Sequence, residues 1–222
     1  MFKISTVAFQ ARDALRSSGV NIPHSNALEL VAASIGYGTY AALKLNPSLD
    51  GDDLFPVAEH VVLQADALEQ RLQDLGLEKQ LTQAVSMAIR DAFTREVHDH
   101  DRSCQFHTSM SDFQDFIFQD VQEQAYEDNN VSDAYAETNA YMDEFYANGY
   151  EFNTLAKSDE EWTLVATGTH TGEVDEDRVY YGHAGNFTAT YTFKKDGRSG
   201  LVLQDLEFGL DFERSYDRDD EK

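Results

Sequence analysis

The chain has 222 residues, of which 41% are hydrophobic and 12% aromatic, so it can bury a core, and a wholly disordered acidic chain is excluded. Its 17 basic and 41 acidic residues leave a formal net charge of −24. That charge argues against binding to nucleic acid or to an anionic membrane through a charged face, because both partners are also negative.

Cysteine usage and hydropathy bound the cellular setting. The single cysteine, Cys104, excludes an intrachain disulfide framework and favours a reducing compartment. No apolar run approaches the ~18 residues of a membrane span. Arg12 and Arg16 interrupt the N-terminal stretch that a signal peptide would need. We therefore expect a cytoplasmic protein, and the sequence leaves its oligomeric state open.

The first hundred residues (1–100) are expected to form a helical module. Apolar residues recur there at helical spacing, between glycines and prolines that end or begin helices. Thr39 is placed to cap the third helix. The prediction is three short helices within residues 5–45, an acidic loop at 47–53, a longer helix from Pro56 to Leu75, and a fifth helix from Leu77 to Val97.

Residues 108–222 are expected to hold acidic helices followed by a sheet. One helix starts near Ser111 or Asp112 and fades at Asn130, and another runs from about Ser132 to Gly149. After about residue 160 the hydrophobic pattern changes to the alternation of strands, and Asp196-Gly197 is a hairpin signal. The predicted fold class is α+β, with a helical N-terminal two-thirds followed by an antiparallel β-meander of three to four strands and a frayed tail at 215–222.

One stretch, residues 24–45, has a recognisable pattern. His24-Ser25 is followed by Ala-Leu-Glu-Leu, then by Gly36-Tyr37 and an aromatic-Ala-Ala-Leu turn that starts at Tyr40. This pattern resembles a small helical module of bacterial glyoxalase-related and plasmid- or phage-borne proteins. The resemblance covers about a fifth of the chain, and it implies a bacterial or mobile-element origin. It carries over no catalytic or metal-binding residue.

The most informative feature is an acidic segment without any cation. No Lys or Arg occurs between Arg102 and Lys157, whereas eleven Asp and Glu residues do. Like charges three or four residues apart cost a helix ~0.2–0.5 kcal/mol per pair. Burial of the apolar residues on the same predicted helix offsets this cost.

Two interpretations of the acidic segment are open. It is either an ordinary solvated helix face, or a surface that imitates the charge of a nucleic acid and docks in a basic groove of another protein. Tyrosines interleaved with the acids suit the second interpretation, because they offer cation–π contacts and a hydroxyl to Arg and Lys. The expected partner-binding residues are Asp112, Asp115, Asp120, Glu123, Tyr126, Glu127, Asp128, Asp133, Tyr135, Glu137, Tyr141, Asp143, Glu144 and Tyr146.

The function expected from this segment is that of a non-enzymatic interaction protein. It binds a basic nucleic-acid-binding protein or complex, and the N-terminal resemblance suggests an inhibitor of a bacterial defence system, in the manner of an anti-CRISPR or antirestriction protein. Binding of this kind weakens with salt. No cofactor is expected.

A histidine-rich stretch offers a metal site as an alternative to a polar loop. His98, His100, Cys104 and His107 have the residue types of zinc ligands, but their spacing matches no established ligand pattern. The sequence does not decide whether this loop binds a metal, and we predict no metal site.

The alternative to an interaction protein is a small cytosolic enzyme or ligand-binding domain built on the sheet. It would use His170, His183 and Tyr180, which lie in or beside strand-like segments. A deep pocket lined by these residues would favour this function over the interaction protein.

Overall fold

A computed structural model describes residues 3–45, 55–98, 103–152, 160–174 and 182–213. These residues form seven α-helices, one short 3-10 turn at Lys79–Leu81 and six β-strands, which confirms the α+β class. No helix among them combines the length and apolar character that crossing a bilayer requires. Four of the features singled out above lie outside the described residues: the loop at 47–53, His100, Tyr180 and the tail at 215–222.

The three short N-terminal helices are confirmed. They are α1 (Ile4–Ser17), α2 (His24–Ser34) and α3 (Tyr40–Lys44). Thr39 caps α3 as expected, because its side-chain oxygen accepts a 3.0 Å hydrogen bond from the backbone N–H of Ala42.

The prediction of one helix from Pro56 to Leu75 is wrong in its first part. Strand β1 (His60–Val62) lies there, and α4 (Ala65–Asp74) begins only after it. Val61 and Val62 are both buried, and their β-branched side chains favour a strand.

The next helix is followed by a second short strand. Helix α5 (Thr82–His98) confirms the fifth predicted helix and buries an apolar stripe that includes Val85, Ile89 and Phe93. Strand β2 (Gln105–His107) then occupies part of the predicted loop. It runs parallel to β1, with Val61 opposite Phe106.

The two acidic helices are shorter in total than predicted. Helix α6 (Met110–Glu127) matches the expectation, whereas α7 (Asn129–Thr138) ends well before Gly149. Asn139 follows in the left-handed conformation with φ of 60°, which ends the helix. Strand β3 (Ala140–Phe152) begins at the next residue.

The remaining strands complete a mixed sheet. They are β4 (Glu161–Val174), β5 (Ala184–Asp196) and β6 (Gly200–Phe212). The hairpin turn predicted at Asp196-Gly197 joins β5 to β6, with Gly197 at φ of 68°. The strand order is β2-β1-β6-β5-β4-β3.

The predicted architecture, a helical N-terminal two-thirds followed by an antiparallel meander of three to four strands, is therefore wrong. The sheet has six strands, β1 and β2 are parallel, and they lie between helices in the chain. The reason is non-local pairing, since β1 pairs antiparallel with β6, placing His60 opposite Leu201.

The chain divides into two compact units. One comprises Met1–Phe113 with Lys194–Val202, and the other Gln114–Phe193 with Leu203–Lys222. The sequence pattern predicts a different division, into residues 1–100 and 108–222. The hydrophobic core of the first unit is built from α1, α2, α4, α5 and β1. In the second unit, alternate residues of β4 and β5 are buried, as expected for a sheet with one covered face.

Candidate protein-binding surface

Hydrogen bonds at its first turn fix the start of α6. The hydroxyl of Ser109 accepts from the backbone N–H of Asp112 at 3.2 Å. The Asp112 carboxylate in turn accepts from the backbone N–H and the hydroxyl of Thr108, at 2.7 and 2.9 Å. This reciprocal arrangement is a variant of the capping box. Although burial acts to raise it, these bonds hold the pKa of Asp112 below its ordinary value.

Three of the predicted partner-binding acids thus serve the fold itself. Besides Asp112, Asp128 caps α7 by accepting a 2.9 Å hydrogen bond from the N–H of Val131. Asp120 is half-buried and accepts from Gln124 and, at 3.4 Å, from the hydroxyl of Tyr191. Burial raises the pKa of Asp120.

Seven other acids of the segment are exposed, and we call them the acidic surface. They come from three successive elements: α6, α7 and β3. They are Asp115, Glu123, Glu127, Asp133, Glu137, Asp143 and Glu144.

The described cations do not neutralise the acidic surface. Ion pairs between described residues join Arg71 to Glu29 and Asp74, Lys79 to Glu69, and Arg90 to Asp91. All of these residues belong to the first unit, and none belongs to the acidic surface. Within the part of the chain that the structure describes, no Lys or Arg side chain forms an ion pair with these seven carboxylates.

The predicted tyrosines divide into exposed and buried members. Tyr141 and Tyr146 on β3 are 57% and 63% exposed. Tyr126 is half-exposed, but its hydroxyl donates to the backbone carbonyl of Asp143, which ties α6 to β3. Tyr135 is only 2% exposed and lies in the core of the second unit. Of the four predicted tyrosines, Tyr141 and Tyr146 are the two that are more than half exposed.

A groove follows one side of β3. It has a volume of about 630 Å³ and is open to solvent. Residues of α6 and of β3 form the walls of this groove. It is lined by Asp115, Phe118, Gln119, Gln122, Glu144, Phe145, Tyr146 and Ala147. We call this the β3 groove. The sequence does not predict it, because the sequence pattern predicts a helix over most of β3.

The histidine-rich stretch holds a pair that sequence reasoning also missed. His107 on β2 is buried, and its Nε2 lies 3.2 Å from Nδ1 of His60 on β1. Burial lowers the pKa of both histidines to about 4. His98 is exposed at the end of α5. Among the described residues, no three His, Cys, Asp or Glu side chains are grouped to hold a metal ion.

The histidine proposed for a sheet-based site is part of the core. His170 is 1% exposed, and its Nε2 lies 3.1 Å from the carbonyl oxygen of Asp211. Since a carbonyl only accepts, Nε2 carries the proton and Nδ1 accepts from the hydroxyl of Tyr135 at 2.6 Å. The same hydroxyl also lies 3.0 Å from the carbonyl oxygen of Thr171. Phe145 and Phe212 pack against the imidazole ring. Burial lowers the pKa of His170, which disfavours the charged form.

His183 lies just before β5 and is half-buried. A smaller cavity of about 340 Å³ in the same unit is lined by residues of α7 and β3, including Tyr135 and Tyr141. Neither His170 nor His183 lines it or the β3 groove.

Comparison with protein families, with curated proteins and with solved structures finds no match to this chain.

Proposed function

We propose that this chain is a non-enzymatic, cytoplasmic interaction protein that uses its acidic surface to bind a basic surface of a nucleic-acid-binding protein or complex. The observation that supports this most directly is that seven exposed carboxylates on α6, α7 and β3 form no ion pair with any described residue. A fold that needs only solubility has no reason to concentrate one sign of charge in this way.

Electrostatics explain how such a surface acts. A group of negatively charged carboxylates attracts Lys and Arg over about a Debye length, which is ~10 Å at 0.1 M salt. This attraction speeds the encounter with a basic partner. Exposed Tyr141 and Tyr146 add stacking and cation–π contacts once the partner has docked. The attraction therefore selects basic partners, and the tyrosines stabilise the complex.

The narrower form of the proposal is inhibition of a bacterial defence system. Nuclease complexes of these systems hold phosphates with Lys and Arg, and an acidic protein competes for the same side chains. Residues three or four apart on a helix lie ~4.5–6 Å apart along its axis, more than the ~3.4 Å between phosphates on one strand. One helix alone is therefore a sparse imitation, and the proposal requires the acids of α7 and β3 to supplement those of α6.

The experiment is a competition assay against labelled DNA or guide RNA. The probes are a purified restriction endonuclease, a CRISPR effector nuclease and a bacterial histone-like DNA-binding protein. We expect the wild-type chain to displace nucleic acid from at least one of them, and to do so far less at about 1 M salt than at about 0.1 M. Displacement that does not change with salt contradicts the electrostatic mechanism, and no displacement from any probe contradicts the proposed function.

Two matched triple variants locate the contact. The test variant carries Glu123→Gln, Glu127→Gln and Glu137→Gln, all on the acidic surface. The control carries Asp13→Asn, Asp66→Asn and Glu78→Gln, which are exposed and lie in the first unit. Both remove three negative charges. We expect at least about tenfold weaker competition from the test variant only, or about 1.4 kcal/mol. An equal loss in both variants means that net charge, and not the acidic surface, drives binding.

A further inference from the structure

The free edge of β3 is the feature that extends the proposed function. In the described sheet, β3 is the last strand and pairs only with β4. We propose that a short, extended, basic segment of the partner protein adds to this edge as a further strand, with its cationic side chains in the β3 groove. This inference rests on the proposed function and names the binding mode of the same surface.

The backbone of β3 shows which groups face outwards. The carbonyl of Tyr146 faces β4, because a Cβ built on Gly168 would collide with its oxygen. Along a strand the hydrogen-bonding groups alternate in direction, so the N–H and C=O of Phe145 and Ala147 point to the free edge. Both residues line the groove.

The length of the available edge follows from irregularities in β3. Register shifts occur between Met142 and Glu144 and between Ala147 and Gly149. The Asp143 carbonyl is already bonded to the hydroxyl of Tyr126. The regular stretch is therefore residues 144–147, which suits a partner segment of a few residues. Bulges at both ends prevent pairing from spreading along the strand.

The groove supplies the side-chain recognition. Asp115 on α6 and Glu144 on β3 are both exposed and both line the groove. Exposed Tyr146 offers a ring face to a guanidinium group, while Gln119 and Gln122 offer amide oxygens as acceptors. Arginine can contact the carboxylates, the tyrosine ring and the amide oxygens. Its planar guanidinium group carries several N–H donors and also stacks on aromatic rings. In strand addition, backbone bonds provide affinity and such side-chain contacts provide specificity.

Charge identifies the occupant as a basic protein segment. A second copy of this chain would bring its own acidic β3 to the same edge, and its net charge of −24 opposes that approach. A nucleic acid is repelled for the same reason and has no peptide backbone with which to pair.

The first experiment uses the wild-type chain and two synthetic peptides. The probe is an end-capped heptapeptide of alternating arginine and valine, and its control is the same peptide methylated on every backbone nitrogen. We expect the control to bind at least about tenfold more weakly, because it lacks the N–H donors for strand pairing. We also expect slower amide hydrogen exchange at Phe145 and Ala147 when the unmethylated peptide binds. Equal binding of the two peptides, or unchanged exchange at both amides, overturns strand addition.

The second experiment separates the groove from the rest of the acidic surface. Asp115→Asn with Glu144→Gln removes the two groove carboxylates, and Glu123→Gln with Glu127→Gln removes two from α6 outside the groove. We expect the first pair to weaken binding of the heptapeptide at least about tenfold and the second to change it less than about twofold. Equal effects of the two pairs overturn the groove assignment but leave the salt-dependent competition of the proposed function intact. Loss of that competition is a different result and identifies a failure of the proposed function itself.

Discussion

Nδ1 of His60 lies 3.2 Å from Nε2 of His107, which joins the two short parallel strands of the first unit by a side-chain hydrogen bond. The ring of Phe113 lies within 5.5 Å of both imidazoles, centroid to centroid. Two neutral imidazoles can share one hydrogen bond in this setting. Protonation of both rings instead places two positive charges next to each other in an apolar environment.

The histidine pair makes stability depend on pH. Burial lowers the pKa of both groups from 6.5 to about 4, so the unfolded chain binds more protons than the folded chain between these values. The free energy of unfolding contributed by the pair is complete above about pH 6.5 and falls as the pH drops towards 4. The slope is at most roughly 1.4 kcal/mol per pH unit for each histidine. Urea unfolding at a series of pH values measures it.

The control is His107→Gln, since carboxylates elsewhere in the chain also begin to titrate at the acidic end of this range. We expect the variant to show a shallower dependence between pH 6.5 and 4 than the wild type. The same slope in both proteins would contradict the role of the pair.

The cap of α6 gives a second prediction. Ser109→Ala removes the acceptor for the Asp112 N–H and should lower the free energy of unfolding by about 1 kcal/mol. Ser111→Ala is the matched control, because Ser111 is exposed in the first turn and alanine is a better helix former. Chemical denaturation of both variants checks this, and a loss of the same size at Ser111 would argue against a capping role for Ser109.

Tyr135→Phe tests the buried hydrogen bond of the second unit. The substitution removes the hydroxyl that lies 2.6 Å from Nδ1 of His170 and 3.0 Å from the carbonyl oxygen of Thr171, and it leaves the imidazole nitrogen without its donor. We expect a loss of ~1–3 kcal/mol in thermal or chemical unfolding. Tyr146→Phe removes the same group from an exposed tyrosine and should leave stability within about 0.5 kcal/mol of the wild type. If the two variants unfold alike, the hydrogen bond to His170 contributes little.

Gly168→Ala tests the close approach of β3 and β4. An added Cβ would collide with the backbone carbonyl of Tyr146 and would lie 2.8 Å from Cα of Ala147. Backbone atoms cannot move aside cheaply, so we expect a loss of ~1–3 kcal/mol. Gly38→Ala is the control, because nothing lies within 4 Å of its added Cβ, and it should be neutral or stabilise by up to about 1 kcal/mol. A tolerated Gly168→Ala would show that the two strands are farther apart than described.

Local sequence signals predicted the elements that depend on local interactions. The Thr39 cap, the apolar face of α6 and the turn at Gly197 are each determined by residues a few positions apart, and all three are found. Strands β1 and β2 have three residues each and form through pairing with each other and with β6. Three residues are too few to show the alternation of apolar and polar residues from which a strand is predicted.

The misassigned helix over β3 had a usable signal. Asn139 tolerates the left-handed conformation that ends a helix, and the aromatic residues that follow favour strands. The burial of Tyr135 was also predictable, because Val131, Tyr135 and Thr138 share one face of α7 and all three are buried. The pairing of His60 with His107 was not predictable, because it depends on two short strands that the sequence does not reveal.

Strand β6 has a consequence for anyone who wishes to divide this protein. Residues Gly200 and Leu201 complete the pairing of β1, although they lie near the opposite end of the chain. A fragment that stops at Phe113 would leave β1 with β2 as its one strand partner and would expose backbone N–H and C=O groups that are now bonded. The first unit is thus discontinuous, so a truncated gene product or a domain swap by recombination would inherit an incomplete sheet rather than a transferable module.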